Sequence, residues 1–257
     1  HHTGNLVVAS FRHDTSRAQD PQLHTHNVII NATRDTEGNW RSLEPRAIYQ
    51  LQKAIGEVYR QELALAVREL GYEIELGKDS LFEIKGVPTD VIRAFSERTA
   101  QIEARLAERG QTTATASPEE KQVATLETRA AKQEVDRGEL VGDWRATADA
   151  AGFGQETRQA LGEAAKANAA EPDHAALIAA QGELLARRAV AFAAAKLGER
   201  QAVFSAAELE KETGRFGLGK VSAAQIGAAI ARSGKEGELI QRAFLDKRGA
   251  EFAGFTT

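Results

Sequence analysis

Hydrophobic and polar positions follow two different rhythms along this chain. Up to about residue 87 the rhythm is mostly that of strands, interrupted by one helix. Leu6 to His13 and Leu23 to Asn31 are strand-length runs separated by the polar stretch Asp14-Thr15-Ser16-Arg17-Ala18-Gln19-Asp20, and Pro21 stands where the second run begins. Asp35 to Asn39 reads as a turn, with Gly38 supplying a permissive backbone. Ile48, Leu51, Ile55, Val58, Tyr59, Leu63 and Val67 recur at three- and four-residue spacing, which predicts a helix over 45–70 that Gly71 stops. Tyr72 to Leu76 and Leu81 to Ile84 form a predicted hairpin.

Beyond Pro88 the chain turns helical and alanine-rich. Thr89 opens a helix predicted to run to about Glu108, and Ser117-Pro118-Glu119-Glu120 is a strong start for another. A third is expected from Val141 to Ala151. Weak periodicity over 154–173 makes that stretch the expected boundary; after it come helices over 174–196, 205–213 and 222–233, and a small strand or wing near the end. The fold class expected is α+β, a mainly antiparallel sheet with packed helices. Residues 1–160 form its first part, and 174–257 a helical, winged-helix-like second part.

Composition narrows the chemistry. The net charge of −4 excludes a protein that coats nucleic acid by bulk charge, but not one with a local basic groove. No run approaches the ~18 apolar residues of a membrane span. Without cysteine, any metal must be held by nitrogen or oxygen. The absence of methionine and the start at His1, entering directly into a strand, lead us to expect a fragment of a longer chain.

His24 and His26 are two apart on a predicted strand, so they share a face. If the two runs pair across the polar loop, His13 reaches the same patch. Three imidazoles would then converge and leave coordination positions open, as in a working metal site rather than a closed structural one. Spacing alone leaves two other readings standing, a structural zinc site and histidines brought together by coincidence.

The string from His13 through Asn27, followed by Asn31, Trp40-Arg41-Ser42-Leu43 and the helix with Ile48-Tyr49, Val58-Tyr59-Arg60 and Glu62-Leu63, resembles MobF-type conjugative relaxases, the TrwC/TraI class. The likeness is strongest over 5–100 and extends to about 155. It implies an HUH-type palm and a metal-dependent, site- and strand-specific DNA nickase. In such an enzyme a tyrosine attacks the scissile phosphate at an origin of transfer. It further implies His13, His24 and His26 as ligands of a divalent metal (magnesium, manganese or zinc) and single-stranded DNA as partner. Conjugation accessory and type IV secretion proteins are implied as further partners. The implied location is the bacterial cytoplasm, with transfer of the parent protein to a recipient cell. In the family the nucleophilic tyrosines precede the histidine string, so no catalytic residue is expected in this chain, and its isolated form is expected to be inactive. Tyr49, Tyr59 and Tyr72 all follow the string and are expected to pack. Two readings compete with the relaxase: a noncatalytic DNA-binding or regulatory module, and a rolling-circle replication initiator.

Among the remaining signals, Arg17 in the signature loop is the favoured phosphate contact, and Trp40 could stack on an unpaired base or pack on the following helix. Asp14 and Asp20 could orient imidazoles, but capping the loop is their expected role. His174 is expected to be structural. Gly214-Arg215-Phe216-Gly217-Leu218-Gly219-Lys220-Val221 mimics a phosphate-binding loop but carries Val221 where Ser or Thr belongs, so it is expected to connect two helices instead.

Overall fold

The structure, a computed structural model, describes residues 3–129, 135–245 and 251–256. In chain order they form β1 (Val8–Thr15), β2 (Pro21–Ile29), β3 (Thr33–Arg34), β4 (Trp40–Arg41), α1 (Arg46–Gln50), α2 (Gln52–Glu69), β5 (Ile74–Leu76) and β6 (Phe82–Ile84). There follow α3 (Thr89–Ala94), α4 (Glu97–Ala107), α5 (Pro118–Glu127), α6 (Arg137–Ala150), α7 (Gln155–Ala170) and α8 (His174–Gly198). Last come β7 (Phe204–Ser205), α9 (Ala206–Phe216), α10 (Ala223–Lys235), β8 (Ile240–Leu245) and β9 (Glu251–Thr256). Every strand pair among them is antiparallel. The chain divides into two compact units, His1–Glu44 with Val87–Gln159, and Pro45–Gly86 with Ala160–Thr257.

In the first unit β1 and β2 form a two-stranded ribbon whose register puts His13 opposite His24 and Phe11 opposite His26, with a bulge between His13 and Thr15. Asp35 organises the β3–β4 turn, accepting from the backbone of Glu37 and Asn39 and from Arg41 Nε at 2.9 Å. The Arg41 hydrogen bond holds its carboxyl below the ordinary value. A small core gathers Leu106, Ala116 and Ala124. Ser117 and Glu120 exchange side-chain and backbone hydrogen bonds as a capping box at the start of α5, as its sequence leads one to expect.

The single helix expected over 89–108 is two. Ser96 ends the first stretch by donating its hydroxyl to the carbonyl of Ile92 at 2.6 Å, and α4 restarts immediately after it. Ser96 makes no side-chain cap; the Asp20 carboxyl instead lies within electrostatic reach of the backbone of Glu97 and Arg98. A carboxylate near a helix start meets the positive end of the helix dipole.

In the second unit α8, α9 and α10 pack with a sheet of order β7-β9-β8. A turn joins α9 to α10, and the antiparallel pair β8–β9 follows them. Val190, Phe204, Leu209, Val221, Ile226 and Phe255 are buried at its centre. Capping boxes at Ser205/Glu208 and Ser222/Gln225 start α9 and α10. His174 is structural, as expected, its Nε2 3.0 Å from the carbonyl of Arg68. The glycine-rich stretch 214–221 is the turn between helices. Val221 is fully buried, its carbonyl accepts from Gln61, and its N–H donates to the carbonyl of Gly217. No phosphate cradle is left there.

Further expectations differ from the structure. The helix over 45–70 is interrupted at Leu51, and α2 groups with the C-terminal part, where it packs on α9. The face it buries carries Glu57, Gln61, Ala64 and Leu65, whereas Ile55, Tyr59 and Leu63 of the expected core stripe are exposed. Specific polar partners account for this: Gln61 donates to the Val221 carbonyl at 2.5 Å, Arg68 donates to the Gly219 carbonyl, and Glu62 accepts from the Ala223 N–H at 2.6 Å. Gly214 lets the helices approach, since a Cβ there would lie 2.9 Å from Gln61 Oε1. Consequently Tyr49 and Tyr59 are 75% and 59% exposed and do not pack as expected. Finally, the weakly periodic stretch 154–173 is mostly helix α7, because alanine-rich sequence favours a helix without a strong apolar stripe.

Candidate metal centre

The ribbon places the three candidate ligands on one face. His13 and His24 are direct cross-strand partners, and His26 lies two residues beyond His24. Ring centroids are 4.9 Å apart for His24 and His26, 4.9 Å for His13 and His26, and 5.6 Å for His13 and His24. His24 Nδ1 lies 2.9 Å from the carbonyl of Gln22. A carbonyl only accepts, so Nδ1 carries the proton, and in the neutral ring Nε2 keeps its lone pair. That Nε2 lies 3.3 Å from Nε2 of His26. Two nitrogens each bound at about 2.0–2.1 Å to one tetrahedral ion would be about 3.3–3.4 Å apart.

The fit is therefore good for His24 and His26. His13 is a neighbour but not yet aligned, since its ring stacks on that of His24 at an interplanar angle of 24°. Among the described residues no group of three His, Asp or Glu side chains stands in a ligating arrangement as it is. A rotation of the His13 side chain is needed to bring a third nitrogen in. Phe11 shares the face, opposite His26, and is 54% exposed. On the reverse face Ser10 donates to Asn27 Oδ1 at 2.7 Å.

The loop between the strands is held from several sides. Ser16 Oγ accepts from the backbone of Ala18 and Asp20 at 3.2 and 3.1 Å. Gln19 takes a left-handed backbone conformation, and its carbonyl accepts from the Trp144 indole at 2.7 Å. Asp14 pairs with Arg137. Asp20, buried beneath the loop, has its carboxyl pushed above the ordinary value by desolvation first and by the charge of Glu97 second. Neither aspartate's recorded partners include a histidine, and the group that orients His24 is the Gln22 carbonyl.

Trp144 and Arg137 are the supporting residues that sequence reasoning missed; both lie more than a hundred residues from the loop they hold. Arg17 is exposed within the loop. Trp40, at the β3–β4 turn, is 63% exposed. Arg34 and Arg41 are engaged locally, with the Gly38 carbonyl and Asp35.

The family described as TrwC relaxase matches residues 1–151. The multifunctional conjugation protein TraI of Escherichia coli strain K12 is 40% identical over 161 residues, which are 59% of this chain and 9% of that protein. A structure of the conjugative relaxase TrwC in complex with oriT DNA, metal-free, is similar with a TM-score of 0.57 at 44% identity, covering 59% of this chain and 54% of that one. A metal-bound TrwC structure with oriT DNA has a TM-score of 0.56 at 45% identity, covering 58% and 52%. The chain thus spans about half the length of these TrwC chains and less than a tenth of TraI.

Proposed function

Since the chain belongs to the TrwC relaxase family, we propose that it supplies the metal-binding part of a DNA-nicking site, which holds a divalent cation against a phosphate of single-stranded DNA at an origin of conjugative transfer. The observation that carries this reading is the 3.3 Å approach of the His24 and His26 Nε2 atoms on the face they share with His13. His24, His26 and, after rotation, His13 are the ligands. Three imidazoles suit zinc better than magnesium, which prefers oxygen. A bound divalent ion would polarise a phosphate oxygen and stabilise charge on the oxygen displaced at phosphorus.

The protein's own part is positioning, which phosphoryl transfer chiefly requires. The Gln22 carbonyl sets the His24 tautomer. The bracing of the loop by Trp144, Arg137 and the start of α4 keeps the two strands in register. Arg17 in the loop would neutralise a backbone phosphate, and exposed Trp40 would stack on an unpaired base. The reading places the parent protein in the bacterial cytoplasm, with accessory and type IV secretion proteins as partners and transfer to a recipient cell. No helix among the described residues is long and apolar enough to cross a membrane.

Isothermal titration of the chain with MnCl2 and with ZnCl2, followed by single-stranded oligonucleotide, tests the proposal. One ion should bind per chain, and oligonucleotide affinity should rise once it is bound. Unchanged metal affinity in His26→Ala would overturn it.

A further inference from the structure

A charged cleft lies within the C-terminal unit, between α2, the β5–β6 turn and α9. It encloses about 650 Å³, and Lys53, Arg60, Lys211, Arg215, Glu57 and Asp79 line it. A volume of this size is typical of small-ligand sites. Four cations face two carboxylates, leaving the cleft positive by two charges. At its floor Glu57 is 2% exposed. Its Oε2 accepts from Arg60 Nη2 at 3.0 Å and lies 3.6 Å from Arg215 Nε, while its Oε1 is buried with no hydrogen-bond partner. A buried carboxylate oxygen left unpaired carries a substantial desolvation cost, so the site calls for a donor. Lys53 and Lys211 line the cleft as well, Lys211 within electrostatic reach of Glu208 and Glu212 on its own helix.

Charge and hydrogen bonding together restrict what can enter. A bare anion meets the buried Glu57 carboxylate, and a bare cation meets four positive side chains. A ligand with an anionic group at one end and N–H donors at the other satisfies both. We infer that this cleft binds a nucleotide unit, its phosphate held by Lys53 and Lys211 and the N–H edge of its base donating to Glu57 Oε1. The binding is independent of the histidine site, and no residue of that site takes part.

The test titrates the 257-residue chain with deoxyguanosine 5′-monophosphate in the presence of a chelator. One molecule should bind per chain, and deoxyguanosine without the phosphate should bind at least tenfold more weakly. The surface variant Lys53→Ala/Lys211→Ala should lose at least tenfold in affinity while its thermal melting stays unchanged. Glu57→Gln should lose the preference for deoxyguanosine monophosphate over deoxyribose 5-phosphate. His26→Ala should leave all of this unchanged, which separates the result from that of the metal site. The trinucleotide d(TGT) distinguishes the sources: tighter binding than the mononucleotide assigns a DNA strand, and equal binding assigns a free nucleotide. Undiminished binding by the double lysine variant, or equal binding of the nucleoside without phosphate, would overturn the inference.

Discussion

The indole of Trp144 donates to the backbone carbonyl of Gln19 at 2.7 Å, joining residues 125 apart in sequence. This bond ties α6 to the loop from which both histidine strands emerge, at the residue whose backbone is left-handed. Trp144→Phe keeps most of the packing and removes one hydrogen bond to a main-chain carbonyl. We expect it to cost about 1 kcal/mol, read as a lower melting temperature. Backbone amides of Ser16 to Asp20 should exchange faster in the variant. Unchanged exchange there would show that the loop is held without the indole.

The three histidines should contribute unequally to metal binding. His24 and His26 already place their nitrogens at ligating separation, whereas His13 must turn out of its stack on His24. Replacing His24 or His26 by alanine should weaken Mn²⁺ or Zn²⁺ binding by at least the roughly 100-fold that loss of a group supporting a ligand can cost, and His13→Ala by less. Titration calorimetry on the three variants checks the order; a larger loss at His13 would contradict this geometry.

Asp20 links stability to pH. Its carboxyl is raised above the ordinary value of 3.8, chiefly by burial. An acid whose folded-state value exceeds its unfolded value binds the proton more tightly when folded. Its stabilising contribution is therefore complete below the unfolded value and lost as pH rises through the folded one. Asp20→Asn keeps the side-chain size and an acceptor oxygen but does not titrate. The wild-type chain should therefore gain stability relative to the variant as pH falls from neutral towards 3.8. Melting curves of both proteins across that interval decide it, and a difference that stays flat or shrinks on acidification counts against the assignment.

Gly71 is the most constrained glycine of the second unit. Its φ is +88°, and a Cβ would lie 1.9 Å from the carbonyl oxygen of Ala165 on α7. Backbone strain and steric overlap act together, so Gly71→Ala should cost about 3 kcal/mol. Gly152→Ala serves as the control: its φ is +80° but nothing lies within 4 Å of a Cβ. It should cost only about 1 kcal/mol. Equal losses in denaturant melts of the two variants would show that the contact with α7 is absent.

Local rules made much of the chain legible. Side chains alternate along a strand, so the spacing of His24 and His26 was enough to put them on one face, and the polar loop before them was enough to suggest pairing with His13. Proline, serine and glutamate at the start of α5 announce a cap whose partners are three residues apart, and the structure contains it. These features depend on neighbours in the chain.

Tertiary structure alone decided the rest, for the opposite reason. An amphipathic pattern marks which stripe of α2 is apolar, but burial goes to the stripe that finds a partner. Gln61 and Arg68 found theirs in carbonyls of the turn before α10, while Tyr59 and Leu63 stayed exposed. Likewise Asp20 reads as a loop aspartate until the start of α4 lies beside it, and Trp144 reads as a helix residue until its indole meets the Gln19 carbonyl. The sequence by itself determined the histidine face and the family it belongs to, because both rest on short-range spacing. The bracing of that face, the aim of each imidazole and the cleft around Glu57 come from contacts between distant segments, which periodicity cannot encode.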